Sequence, residues 1–452
     1  MAEAASERDH VYNTYLPDLV RVLTGGRRMY VTVRDRPTAA RPRSPGVAHR
    51  VAGTVVLLGI VSMLTDISSE SVNAVLPIYL TSILGMSTLA YGFIDGIYQG
   101  VSALVRILGG WIADRADHPK WVAVVGYLAS AISRVFLLPA TTFAAITSII
   151  TVDRLGKGLR TAPRDALIAA SSPSAALGRA FGVHRALDTL GALIGPLMAF
   201  AIIGLAVPND YHVVFVASLA FAIIGVALLI LIVPDLRPRR RQKSLSDKSA
   251  APSQPARPSW RHLRNPQLCR LLVAAALLGL FTIGDGFLYL ELTERDSLAT
   301  KYFPLLYVGT NFAYLALAIP FGRLADRIGR ARVFVGGQVM LLVAYLCAGG
   351  PIGGPAISIG CLVFLGAYYA ATDGVLSAIA SKVTPLSVRT SGIATAQTAV
   401  AAARFASSLA FGLMWTELGR MNALWLVTGL LAFAIPVAAL MMRGLDKTAA
   451  AA

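Results

Sequence analysis

Between Val213 and Val233 the chain carries no charged residue. A helix needs roughly 20 apolar residues to cross a hydrocarbon core of about 30 Å, so this stretch is built for a bilayer. Leu424 to Met442 has the same character. Only 14% of the 452 residues are charged and 56% are hydrophobic, against about 25% charged in a soluble domain. Mean hydropathy is +0.64. These values point to a chain whose main solvent is lipid, a multi-pass protein of the plasma (cell inner) membrane. Residues 1–50 hold no apolar core of the signal-peptide kind, so no signal peptide is expected.

Apolar segments recur regularly, predicting helices over 52–80, 88–112, 121–139, 143–168, 178–204 and 212–234. Six more follow over 268–291, 303–325, 332–349, 356–380, 390–416 and 421–443. The expected organisation is a basic cytoplasmic tail (1–50), an N-terminal six-helix bundle (51–234), a cytoplasmic linker (235–266), a C-terminal six-helix bundle (267–443) and a short cytoplasmic tail (444–452). The fold class is all-α.

Net charge is +17 and the pI about 10.1. No groove-reading motif accompanies the charge, so nucleic acid is not an expected partner. The bases collect in alternate loops instead. Arg115, Lys120, Arg179, the linker cluster from Arg237 to Lys243, Arg327, Arg330, Arg332, Lys382 and Arg389 share one side. Lys and Arg accumulate in cytoplasmic loops, which puts both termini in the cytoplasm. Cys269, Cys347 and Cys361 have no metal-ligand spacing, so neither a disulfide framework nor a metal site is expected. No cofactor is expected. No nucleotide-binding loop or nucleophile motif marks an enzyme.

The halves share a pattern. After the second segment the chain reads Gly110-Trp-Ile-Ala-Asp114-Arg115, then Lys120. After the eighth it reads Gly322-Arg-Leu-Ala-Asp326-Arg327-Ile-Gly329-Arg330-Ala-Arg332. Arg179-Ala-Phe-Gly182 is matched by Arg389-Thr-Ser-Gly392, at nearly the same distance from the aspartate. Internal duplication is a mark of transporter folds. At these residues the sequence resembles the major facilitator superfamily, whose loop signature has the form G-x-L-A-D-R-x-G-R-[KR]. The second-half copy matches it closely; the first departs at Ala116-Asp117-His118-Pro119. The resemblance implies two six-helix bundles related by a pseudo-two-fold axis, a cytoplasmic latch at these loops and secondary transport by a monomer. On physical grounds Gly110 and Gly322 allow helices to approach closely, and Asp114 and Asp326 can accept from N–H groups at a helix start. An ordinary solvated charged turn is the simpler alternative.

Ionisable residues at bilayer depth cost at least about 2.5–3.5 kcal/mol and face protein or water. Asp66 and Glu70 lie one turn apart on the first segment, where two close carboxylates suit a proton carrier. Asp95, His184, Arg185, Asp188, Asp285 and Asp373 are further candidates for solute binding or proton coupling. Asp153, Lys157, Arg160 and Arg164 line one face of the fourth segment. Depth favours cavity roles for Asp153, Arg154 and Lys157, and gate or structural roles for Arg164, Asp165 and Arg179. Interhelix ion pairing is the competing account. Gly156, Gly158 and Pro163 are expected to loosen this helix, as broken helices do at transport sites. Gly191, Gly195 and Pro196 resemble the fifth-helix motif of exporting antiporters; simple close packing explains them equally. The expected function is proton-coupled export of a small organic solute, anionic or zwitterionic, with efflux of amphiphilic drugs or proton-coupled uptake as alternatives. A non-transporting receptor or scaffold fits least.

Overall fold

The computed structural model describes residues 51–115, 118–173, 176–206, 210–235, 265–384 and 389–445, with side chains described for all of these except 106–115 and 389–391. Most of the expected tails and linker, the surroundings of Gly110, and the side chains of Asp114, Arg115 and Arg389 lie outside the described residues. The first half holds α1 (Gly53–Asn73), α2 (Thr88–Arg115), α3 (Pro119–Leu137), α4 (Phe143–Ser171), α5 (Leu177–Ala201) and α6 (Tyr211–Leu231). The second holds α7 (Pro266–Gly279), α8 (Asp285–Arg295), α9 (Phe303–Ile328), α10 (Arg330–Gly349), α11 (Pro355–Thr372), α12 (Val375–Val383), α13 (Arg389–Leu418) and α14 (Arg420–Met442). Caps fix several starts. Thr142 accepts from the Ala145 N–H at 3.3 Å and Asp210 from that of His212 at 3.0 Å.

Among the described residues nine helices are long and apolar enough to cross a membrane. α2 and α4 are not among them, and the seventh segment is split into α7 and α8. These exceptions carry much of the buried charge.

Two expectations need correcting. The fourth segment is not broken, for α4 runs unbroken past Gly156, Gly158 and Pro163. Its glycines serve packing instead. A Cβ on Gly156 would meet the Gly126 carbonyl and Ser130 of α3, and one on Gly158 would meet Ser102 and Val105 of α2. The breaks fall where continuous helices were expected, at 280–284 and at Asp373–Gly374. In the first, Tyr345 of α10 supplies the missing partners: its hydroxyl accepts from the Ile283 N–H at 2.9 Å and donates to the Phe281 carbonyl at 3.1 Å. Backbone groups away from water need such partners. In the second, Gly374 takes φ +77°, a conformation open to glycine.

Packing repeats between halves. α1 packs on α5 and α6, α2 on α4, and α3 on α4 and α6. Correspondingly α7 packs on α13 and α14, α9 on α11, and α10 on α11 and α14. The halves meet where α2 lies on α13 and α5 on α9.

Contacts between halves gather at the end away from the first and last described residues, here the far face, the other end being the terminal face. Gly92, Gly96 and Gly100 bring α2 onto α13. A Cβ on Gly96 would sit 3.1 Å from Phe405, and one on Gly92 3.2 Å from the Gly412 Cα. The Thr88 and Thr416 hydroxyls are 3.0 Å apart. Tyr91 and Phe287 rings lie 4.7 Å apart, Phe200 and Tyr302 6.2 Å. At the terminal face Gly178, Gly182 and Gly322 have nothing within 4 Å of where a Cβ would be.

Candidate functional site

A cavity of about 340 Å³ lies between the halves. α1 contributes Asp66 and Glu70, α4 Lys157, Arg160 and Arg164, and α5 Arg185 and Asp188. The second half contributes Asp285 at the start of α8, Asp373 at the break after α11, and Tyr307, Asn311, Tyr314 and Tyr369. Cations therefore stand on the first-half wall, while the second-half wall carries two carboxylates and tyrosines.

The first-half wall is partly paired. Glu70 accepts from Asn73 at 3.2 Å and from the Tyr98 hydroxyl at 3.4 Å, and lies 3.8 Å from the Lys157 ammonium. Arg164 and Arg185 each approach Asp188 at 3.8 Å. The carboxyl that acts on Asp66 is Asp188, across α1 and α5, and both line the cavity. On the facing wall the Tyr369 hydroxyl donates to Asp285 at 2.8 Å. Asn311 donates to the Ala192 carbonyl at 3.2 Å, tying α9 to α5.

Several candidates sit elsewhere. Asp153 and Arg154, expected on the cavity, are each 2% exposed. Arg134 reaches Asp153 at 3.1 Å, Arg154 grips its other oxygen, and the Arg154 guanidinium lies 3.8 Å from the Tyr98 ring centre. The helix faces inward as its spacing requires, but α3 claims this part of it. Arg164, expected in a gate or structural role, lines the cavity and also pairs with Asp165 at 3.1 Å. His184 is buried, with Nε2 3.0 Å from the Ser62 hydroxyl. Asp95 lies at the junction of the halves, accepting from Ser408 of α13 at 2.5 Å and packing against Gly284.

The terminal-face motif also differs in detail. Gly322 faces open space, so it brings no helix close. Asp326 does not cap a helix start: it belongs to the last turn of α9 and pairs with Arg330 at 3.1 Å. Gly329 makes the α9–α10 turn with φ +105°, Arg327 is exposed, and Arg332 donates to the Ile328 carbonyl at 3.4 Å. Lys120 donates to the Ile230 carbonyl at 2.8 Å. Arg179 is exposed at the start of α5. Gly191 and Gly195 let α5 pack on Met63, Ile67 and Ser71 of α1, and Pro196 lies inside a continuous α5.

The glycine stripe of α2 was legible as a four-residue repeat at 92, 96 and 100 and went unread. The tyrosines were not legible, because nothing in an apolar run distinguishes a cavity-lining ring from a packed one.

Two pseudo-symmetric helical bundles enclosing a charged cavity define a multi-pass membrane protein that handles a small solute. The chain belongs to the Major Facilitator Superfamily, whose model matches residues 58–309. It is 28% identical over 394 residues to an uncharacterized MFS-type transporter of Methanocaldococcus jannaschii, covering 85% of this chain and 95% of that one. A crystal structure of a point mutant of the nucleoside transporter NupG superposes with a TM-score of 0.73 at 15% identity, covering 86% of this chain and 100% of that one. A POT family transporter in complex with 5-aminolevulinic acid superposes with a TM-score of 0.71 at 14% identity, over 86% and 96%. At these identities the structural likeness establishes the fold, and the chain is a transporter of that superfamily.

Proposed function

We propose that the protein is a proton-coupled exporter of a small zwitterionic organic solute, with its terminal face in the cytoplasm. One observation carries the substrate class: the cavity opposes cations on one wall to Asp285 and Asp373 on the other. A carboxylate or phosphate on the solute pairs with Lys157, Arg164 or Arg185, and an amine faces Asp285 or Asp373. The lining is charged rather than broadly apolar, which weighs against a permissive site for amphiphilic drugs. 5-Aminolevulinic acid, bound in the POT relative, carries both an amine and a carboxylate.

The proton site in this reading is Asp66, which stands beside Asp188 on the cavity wall. A proton entering Asp66 from the far side lets its hydroxyl donate to Asp188 and compete there with Arg164 and Arg185, which alters the wall that holds the solute anion. Rocking of the halves then exposes the cavity to either side in turn. The Gly191, Gly195 and Pro196 pattern on α5, which resembles that of exporting antiporters, supports export as the direction, and the basic terminal face supports its cytoplasmic placement.

The test is reconstitution in proteoliposomes with an imposed proton gradient and a panel of zwitterionic metabolites. Gradient-dependent movement that Asp66→Asn abolishes supports the proposal. Movement that ignores the gradient, or survives Asp66→Asn unchanged, removes the proton-coupling part.

A further inference from the structure

A second cavity of about 180 Å³ is walled mainly by the second half, with Gln99 of α2 on its first-half side. It meets the central cavity at Asp373, which lines both. Its walls gather both helix breaks: Gly279 and Thr282 from the first, Thr372 and Gly374 from the second. Broken spans in transporters commonly flank bound solute.

The chemistry of this chamber differs from that of the central one. Much of its polar lining is uncharged. Gln338 of α10 is 2% exposed, and its side-chain oxygen has no hydrogen-bond partner. Arg404 of α13 spends one terminal nitrogen on the Tyr368 hydroxyl at 2.5 Å, and its guanidinium lies 5.9 Å and 5.8 Å from the Tyr368 and Tyr369 ring centres. Its Nε has no partner. Gln338 and Arg404 therefore both line this space, and each holds one unspent polar atom that is covered within the wall. Burying a polar group unpaired is costly, and native structures rarely retain such groups without a use. The volume suits a group of a few heavy atoms, since a cavity of about 150 Å³ holds benzene.

We propose that this chamber is a specificity subsite for an uncharged group that both donates and accepts hydrogen bonds, a carboxamide or hydroxyl, on the same solute whose charged end occupies the central cavity. A turn of each side chain into the chamber lets the group donate to the Gln338 oxygen and accept from Arg404 Nε, and Asp373, which lines both cavities, marks the passage between them. This rests on the proposed recognition of a zwitterion and deepens it.

The experiment titrates the purified full chain in detergent with matched zwitterions: L-glutamine against L-homoleucine, and Ala-Gln against Ala-homoleucine. Each pair differs by a carboxamide in place of its hydrocarbon isostere. The expected result is about a tenfold preference for the carboxamide member, reduced to near parity by Gln338→Leu. Because the Gln338 oxygen is unpartnered in the free protein, Gln338→Leu is expected not to lower the melting temperature. A lowered melting temperature with an unchanged preference assigns Gln338 to packing and overturns the subsite. Equal binding within both pairs also overturns it, while leaving charge recognition in the central cavity standing. Lys157→Met is expected to weaken both members alike. Failure of all four probes to bind overturns both the subsite and the zwitterion reading.

Discussion

At the scale of single residues, exposure separates two kinds of charge on similar-looking apolar segments. Asp153 is enclosed by Arg134 and Arg154, all three 2% exposed. Removing one member of a buried ion group strands the others at a cost of about 3–5 kcal/mol. Asp153→Asn is accordingly expected to lower the melting temperature and the yield of folded protein, read by thermal melting in detergent. Asp373 faces both cavities, so Asp373→Asn is expected to leave melting nearly unchanged and weaken solute binding by about tenfold or more, since bonds to charged groups are worth about 1.5–3 kcal/mol. The sequence carried both aspartates as candidates because intramembrane charge marks function by default. It did not separate them, because the partner of Asp153 comes from α3 and a helical pattern does not say which neighbour covers a face.

At the scale of elements, close approach and broken backbone do the positioning. Gly96 allows α2 to meet Phe405, so Gly96→Ile is expected to part the halves at the far face. Spin labels at Ser87 and Glu417 measure this as a longer distance. Gly322→Ala, in open space within α9, is expected to be neutral or to stabilise by up to about 1 kcal/mol, seen in the same melting assay. Tyr345→Phe removes the hydroxyl that joins Ile283 to Phe281 across the first break, and is expected to cost about 1–3 kcal/mol. A further brace lies beyond α8, where hydrogen bonding from Arg295, reinforced by Ser358 and the Gly354 N–H, holds the Asp296 carboxyl down to about 2. Its folded value is depressed below the unfolded 3.8, so this contribution is full above about pH 4 and is lost as pH falls through about 2. Asp296→Asn is expected to flatten that acid limb of the melting profile. The helix ends were legible to within a few residues because apolar runs and caps set them. The two breaks were not, since Tyr345 lies 62 residues from Ile283 in sequence and nothing local announces it.

For the molecule as a whole, Gly178, Gly182 and Gly322 meet nothing at the terminal face, and in the proposed reading the central cavity opens there. In a background without Cys269, Cys347 and Cys361, Gly182→Cys is expected to react with a membrane-impermeant thiol reagent in inverted vesicles and to resist it in intact cells. The opposite pattern reverses the assigned orientation. The twofold plan was legible from the repeated Gly-to-Asp-Arg loops, because duplicated helices keep their turns. The union of the two cavities at Asp373 was not, because it depends on where an uninterrupted apolar run chooses to break.

The far-face seam also bears on the medium in which the protein works. Ion pairs between described residues each stay within one half. Glycine backbone, rings and hydroxyls join the halves there, and Asp95 meets a hydroxyl rather than a cation. Dissolved electrolyte weakens attractions between opposite charges, over a Debye length of about 10 Å at 0.1 M, and has little hold on contacts of this kind. The hold between the halves at that face is thus expected to change little with ionic strength, read as an unchanged distance between the spin labels at Ser87 and Glu417 from low to high salt.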